Sequence, residues 1–362
     1  MALAASSLAV LNAAPAQAAD PVDIQILATN DFHGRLLNNS NAEAGAAVLS
    51  GAVKQLRGEN PNTDFVAAGD LIGASTFESF IQKDVPTIEA LNEAGLDVSA
   101  VGNHELDQGY NDLNVRVKGL ADWEYIAANL RLKANNDHAV APTWKHDIAG
   151  VTVGYVGAVT EELPSLVSPD GISQLNVTDI VEEVNASAAA LTAAGADVVV
   201  MLVHEGAPPG TDCDAMDDDP SSPFGSIVTG VSNDVDAIVS GHTHQAYSCT
   251  VKNRPVVSAG QYGTNLNKIV FTVDPDNGAI SNTTHEILAL ESDKDGDGPE
   301  GPTPDYPADP EVTKIVADAA AFAEAEGKKS VGRINGPFDR ARFAGGEAEN
   351  RGGESTLGNL VA

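Results

Sequence analysis

Positive charge is scarce in this chain. Lysine and arginine total 20 against 52 aspartates and glutamates, a net charge of −32. Nucleic-acid polymers and membrane surfaces are themselves anionic, so a general binder of either is excluded. An anionic small substrate would need a local reversal of the field, which bound divalent cations supply. Aromatic residues make up only 5%, so the core has to rely on Val, Ile, Leu and Ala. No internal apolar run is long enough to span a bilayer. Cysteine occurs twice, as Cys213 and Cys249. Two isolated cysteines are a poor basis for a thiolate zinc site.

The N-terminus is apolar and ends in Ala16-Gln17-Ala18, the pattern of an export cleavage site, although the first basic residue is Arg35. Residues 1–18 are read as a signal-peptide-like segment and the protein as secreted, periplasmic or displayed on the cell surface. The alternative is an Ala-rich tail. In an exported chain the even cysteine count favours a Cys213–Cys249 disulfide over two thiols.

Short β-rich runs recur at 22–28, 64–69, 97–102, 125–130, 151–158, 196–204, 236–241, 254–260 and 268–273. Several are continuously apolar rather than alternating, which suits strands buried on both faces. Helical patterns at 42–58, 85–95 and 177–195 lie between them. Strand–helix alternation predicts an α/β domain over 20–290, with mixed pairing in its second half. An acidic Pro/Gly-rich stretch, 291–310, reads as a linker. A helix is expected over 311–328. SVGRINGPFDR (330–340) then looks like new strand material, and 329–362 reads as the opening of a second α+β domain. Within the linker, Asp293, Asp295 and Asp297 resemble the first half of a calcium loop, but Pro304 stands where the EF-hand Glu belongs. The stretch reads as a solvated linker, with a weak calcium site as the alternative.

Chemistry-bearing residues collect where strands end. QILAT is followed by Asn30-Asp31-Phe32-His33-Gly34-Arg35, DFVAA by Gly69-Asp70, and DVSAV by Gly102-Asn103-His104-Glu105. VVVMLV runs into His204-Glu205-Gly206, and DAIVS into Gly241-His242-Thr243-His244. Loops beyond the carboxyl ends of strands form the ligand crevice of open α/β sheets. Asp31 and His33 are two apart, as are His242 and His244, and in extended backbone such pairs point the same way. The glycines at 34, 69, 102, 206 and 241 are expected to permit sharp turns. The donors are Asp31, His33, Asp70, Asn103, His204, His242 and His244. They are too many for one tetrahedral zinc and suit two divalent ions held by nitrogen and oxygen, with a carboxylate as the natural bridge. Such ion pairs clamp both oxygens of an in-line displacement at phosphorus. His138, His146 and His285 lack ligand company and read as surface or hydrogen-bonded residues. The acidic 212–219 loop reads as solvated.

NDFHGRL, AAGDLIGAS, GNHELDQG, LVHEG and GHTH resemble the secreted 5′-nucleotidase family of the calcineurin-like metallophosphoesterase superfamily. The resemblance spans 30–244 and extends weakly to RGGESTLGNL (351–360). It implies a four-layer α/β/β/α sandwich, then an interdomain helix and the start of a second α+β domain that recognises nucleotides. It implies that Asp31, His33 and His244 hold one metal, that Asn103, His204 and His242 hold the other, and that Asp70 bridges. Zn, Mn, Co or Fe would all suit these donors. His104, oriented by Asp107, would stabilise transition-state charge or protonate the leaving alkoxide as metal-activated water attacks phosphorus. Asn103 and Arg351 would contact the substrate phosphate. Glu105 is read as supporting the ligands from behind, the alternative being a direct role. Many members carry Asn or Gln where this chain has His244. The implied activity is release of phosphate from small nucleoside 5′-phosphates. UDP-sugar hydrolase, 2′,3′-cyclic nucleotide phosphodiesterase and thiosulfohydrolase on the same frame are alternatives, as is a metal-binding fragment without turnover.

Overall fold

The computed structural model describes residues 19–39, 43–292, 303–333, 336–346, 348–350 and 353–357. The 1–18 segment, Asp293, Asp295 and Asp297 of the calcium-like loop, and Arg351 lie outside the described residues. The chain divides into two compact units, Met1–Ala320 and Ala321–Ala362.

The first unit is built on two six-stranded mixed sheets. In spatial order one sheet runs Ala279–Ala289, Asn265–Asp274, Val22–Thr29, Thr63–Ala67, Val98–Ala100, Glu124–Ile126. The other runs Ala246–Val251, Arg254–Ala259, Ala237–Ser240, Val198–His204, Val151–Val159, Thr143–Ile148. The strands from Val22–Thr29 to Glu124–Ile126 are mutually parallel, as are Val151–Val159, Val198–His204, Ala237–Ser240 and Arg254–Ala259.

Alternation along each strand splits the core into layers. Ile24, Ile26, Val66 and Val98 meet Val198, Val200, Leu202 and Val239 between the sheets. Leu27, Phe65 and Ala67 point the other way, onto the Gly45–Glu59 and Val85–Ala94 helices. Val199, Met201 and Val203 pack on the Ile180–Ala193 and Pro223–Gly230 helices. Helix, sheet, sheet and helix therefore stack as four layers, and strands buried on both faces explain the unbroken apolar runs.

In the two six-stranded sheets the strands missing from the sequence reading lie at the edges: Thr143–Ile148, Ala246–Val251 and Ala279–Ala289. Ala279–Ala289 is half exposed and rich in Asn, Thr, His and Glu, so its pattern carries no continuous core signal. The Pro223–Gly230 helix was also unforeseen, though its start is signalled by Ser222, which caps Gly225 N, and by Pro223.

Part of the expected linker is built into the first unit. Glu291–Ser292 pairs with Thr303–Pro304. Asp309 accepts Ser50 Oγ at 2.6 Å and pairs with Lys54 at 2.5 Å, while its backbone N–H donates to Ala47 O at 2.8 Å. The chain can lie this close because residue 51 is glycine; a Cβ there would stand 1.7 Å from Pro307 O. Asp309 Oδ1 then accepts Glu311 N at the start of the Pro310–Gly327 helix. In the second unit the described residues of SVGRINGPFDR form no strand, and an isolated bridge joins Arg342 to Glu349. A lone extended segment without a packed apolar face does not hold itself as a strand.

Candidate metal centre

The parallel strands deliver their following residues to one place. Asp31 and His33 come after Val22–Thr29, Asp70 after Thr63–Ala67, and Asn103 and His104 after Val98–Ala100. His204 ends Val198–His204, while His242 and His244 follow Ala237–Ser240. Both sheets therefore contribute.

Among the described residues, three side-chain groups have ligand atoms within 4.8 Å of one another: Asp31 with His33 and His244, Asp70 with His204 and His242, and His33 with Asp70 and His104. His33 Nε2 lies 3.3 Å from His244 Nε2 and 4.0 Å from Asp31 Oδ1. Asp70 Oδ2 lies 3.0 Å from His204 Nε2 and 3.8 Å from His33 Nε2, so this carboxylate stands between the two outer groups. Asn103 Oδ1 is 3.0 Å from His204 Nε2. His33 Nδ1 donates to Gly73 O at 2.9 Å and His204 Nδ1 to Ala68 O at 2.8 Å, which leaves both Nε2 atoms for a metal. Buried, mixed N/O donors anchored in this way fit divalent ions.

The paired spacing works through a different backbone from the extended one expected. Asp31, His33, Asp70, His242 and His244 all have left-handed φ, between 49° and 70°. The chain coils at each motif, because the buried backbone must turn out of the sheet while still presenting its donor inward. The glycines also divide. Gly34 and Gly69 have positive φ, whereas Gly102, Gly206 and Gly241 do not. These three are glycine for close approach: a Cβ would meet Asp70 Oδ1 at 2.2 Å, Gly241 O at 2.3 Å and Asp31 Oδ2 at 2.9 Å respectively.

Glu105 lies behind the cluster and is buried. Its carboxylate accepts Asp70 N at 2.9 Å, Leu71 N at 2.8 Å and Gly102 N at 2.7 Å, tying two motifs together. Burial, with Asp70 nearby, pushes its pKa up to about 7. Replacement by alanine would orphan three buried donors. Glu105→Ala is expected to cost at least about 3 kcal/mol in urea unfolding, since each of the three orphans costs ~1–3 kcal/mol, and to weaken metal binding. An unchanged midpoint and unchanged affinity would remove this bracing role. Asn30 braces the other side: its Nδ2 donates to Asp31 Oδ2 and Gly260 O, both at 2.7 Å.

Charge in the cluster is strongly coupled. Burial opposes ionisation of both Asp70 and His204, but each stabilises the other's charge; the carboxylate is held well below its usual range and the imidazole is raised to about 10. Burial lowers His33 and His242. His244 is raised by its contact with Asp31, and His104 by its bond to Asp107. His104 Nδ1 and Asp107 Oδ2 are 2.8 Å apart, an arrangement that leaves Nε2 free. The His104 backbone N–H donates to Asp70 Oδ1 at 2.8 Å, so the dyad is tied directly to the carboxylate that stands between the two outer groups.

Arg35 and Tyr262 escaped the sequence reading as site residues. The Arg35 guanidinium carbon lies 3.9 Å above the Tyr262 ring centre, and that ring is 5.8 Å from His33 and 5.4 Å from His244. Arg35 was visible inside the NDFHGR motif; Tyr262 stands far away in the chain and carries no local signal. Cys213 and Cys249 form a disulfide with Cα atoms 5.4 Å apart. It pins the loop after His204 to the strand after His244. His146 bonds Asp64, and His285 lies between Ser248 and Thr250, both away from the cluster.

The calcineurin-like phosphoesterase family model matches residues 24–246. The endonuclease YhcR of Bacillus subtilis is 27% identical over 304 residues, covering 75% of this chain and 24% of that protein. The 5′-nucleotidase of Vibrio cholerae is 30% identical over 210 residues, covering 56% of this chain and 37% of that protein. The chain thus spans well under half the length of either relative. In fold, the crystal structure of the calcineurin-like phosphoesterase YfkN from Bacillus subtilis superposes with a TM-score of 0.70 at 23% identity, covering 85% of this chain and all (100%) of that one. With the clustered donors at the ends of both sheets and a family match across most of the first unit, this chain belongs to the calcineurin-like phosphoesterase family.

Proposed function

We propose that the protein is an exported, dinuclear-metal phosphohydrolase that frees phosphate from nucleoside 5′-phosphates. The observation that carries the reading is Asp70, placed between two His/Asp groups with the His104–Asp107 dyad fixed to it. Asp31, His33 and His244 would hold one ion, Asn103, His204 and His242 the other, and Asp70 would join them. When bound, two such ions neutralise phosphoryl charge and acidify water. His104 would hold a proton at Nε2 for the leaving oxygen, with Asp107 fixing its tautomer. Residues 20–290 would form the catalytic domain and 329–362 the opening of a nucleotide-recognising one. The similarity to a 5′-nucleotidase supports the substrate class, and the disulfide supports export. No described helix is long and apolar enough to cross a membrane.

The similarity to an endonuclease favours a second reading, phosphodiester cleavage. A net charge of −32 opposes a polymeric nucleic acid as substrate. The test is phosphate release from AMP, with UDP-glucose, 2′,3′-cyclic AMP, a thiosulfate ester and bis(p-nitrophenyl) phosphate in parallel, by stripped protein given Zn or Mn. AMP turnover restored by metal is the expected result. Diester cleavage alone would replace the nucleotidase reading, and silence on every ester with two ions bound would overturn hydrolysis altogether.

A further inference from the structure

We infer that Arg35, held flat on Tyr262, grips the phosphoryl oxygen of a phosphate monoester and gives the site a preference for monoesters over diesters. The inference rests on the phosphoester reading and adds a binding residue and a specificity to it.

A chain of net charge −32 repels an anionic substrate until a local cation intervenes. Arg35 is two residues beyond His33, on the same turn. Arg57, Arg116, Arg131 and Arg340 each pair with a carboxylate. Arg35 does not: among the described residues no carboxylate reaches its guanidinium, and its Nε is buried without a hydrogen-bond partner. What holds it is the Tyr262 ring, 3.9 Å below. A ring face attracts a cation without consuming any of its N–H donors. The fork of donors that suits two oxygens of a phosphate is therefore unspent.

Tyr262 is itself fixed. Its N–H donates to Asp31 O at 2.8 Å, and its own φ is 58°. The next residue is glycine with φ 67°, where a Cβ would stand 3.2 Å from the Phe32 ring. The turn closes through Thr264 N to Gln261 O at 3.0 Å. The platform for Arg35 is thus tied to the backbone of Asp31 and cannot drift from the cluster. A monoester has one more non-bridging oxygen and more negative charge than a diester, and that extra oxygen is what the guanidinium can take.

The test uses the full chain loaded with Zn or Mn. Arg35→Ala is expected to weaken binding of inorganic phosphate, read by calorimetry, by roughly 10- to 100-fold, the scale of charge-assisted hydrogen bonds. Its kcat/KM on p-nitrophenyl phosphate should fall at least about tenfold further than on bis(p-nitrophenyl) phosphate. Arg35→Lys, which keeps the charge and loses the fork, should fall between. As a positioning residue, Tyr262 should be replaceable by Phe, whereas Tyr262→Leu should raise KM more than it lowers kcat. Equal losses on both esters, or phosphate binding unchanged in Arg35→Ala and Arg35→Lys, would overturn the assignment. If Arg35→Ala does not fold, Arg35→Lys and Arg35→Gln decide it by the same readouts. Should the unmutated protein cleave neither ester, the phosphoester reading fails on that result alone, while the phosphate-binding comparison still judges Arg35.

Discussion

Replacing His104 by asparagine is expected to lower phosphate release from AMP by roughly 10²–10⁴-fold, the range for a lost general acid, with two metal ions still bound. The reasoning is geometric. His104 Nδ1 is committed to Asp107 Oδ2 at 2.8 Å, and the bond raises the imidazole's pKa. The proton that remains for a leaving oxygen is then at Nε2, on a ring grouped with His33 and Asp70. Metal retention follows because Asp31, His33, Asp70, Asn103, His204, His242 and His244 are untouched. Only the backbone N–H of residue 104 braces Asp70, and asparagine keeps it. Rate measurement beside elemental analysis checks both halves. Full turnover in His104→Asn would remove the acid role; loss of metal would make His104 a ligand, which its place within 4.8 Å of His33 and Asp70 ligand atoms makes the informative alternative.

Asp70→Asn should act on the other quantity. Bound metal is expected to fall from two ions to one or none, and turnover to fall with it to background. Asp70 Oδ2 is within 3.0 Å of His204 Nε2 and 3.8 Å of His33 Nε2, and the side chain is only 2% exposed. Asparagine matches its shape but carries no charge to offset two cations in a water-poor site. Elemental analysis is the measurement, and two ions retained at full stoichiometry would end the bridging assignment.

The clustering of donors was legible because each group sits within a few residues of a strand end, where motif and strand boundary can be read together. That the central strands are buried on both faces was legible from runs such as VVVMLV, whereas the four-layer stacking was expected only from the family resemblance. Other features depend on contacts the local sequence does not carry. Ala279–Ala289 is held by pairing with Asn265–Asp274, so its polar composition conceals a long strand. Arg35 and Tyr262 meet only after folding. The coiled backbone at Asp31 and His33 was missed because spacing alone cannot distinguish an extended pair from a turned one. The acidic 291–310 stretch looked free from its composition, yet Gly51 opens the helix surface that receives Pro307.

Five donor-bearing residues with left-handed backbone have a consequence for which ions the site accepts. Asp31, His33, Asp70, His242 and His244 hold φ between 49° and 70°, a conformation that costs a non-glycine residue on the order of 1–3 kcal/mol. It persists only where the surroundings over-determine it, here through Asn30, Glu105 and the carbonyls of Ala68 and Gly73. Such a cradle is stiff before any ion arrives. A flexible set of the same donors would contract or expand around each divalent metal and rank them by intrinsic affinity alone. A stiff one penalises an ion of the wrong radius, so size sets the occupant as much as affinity does.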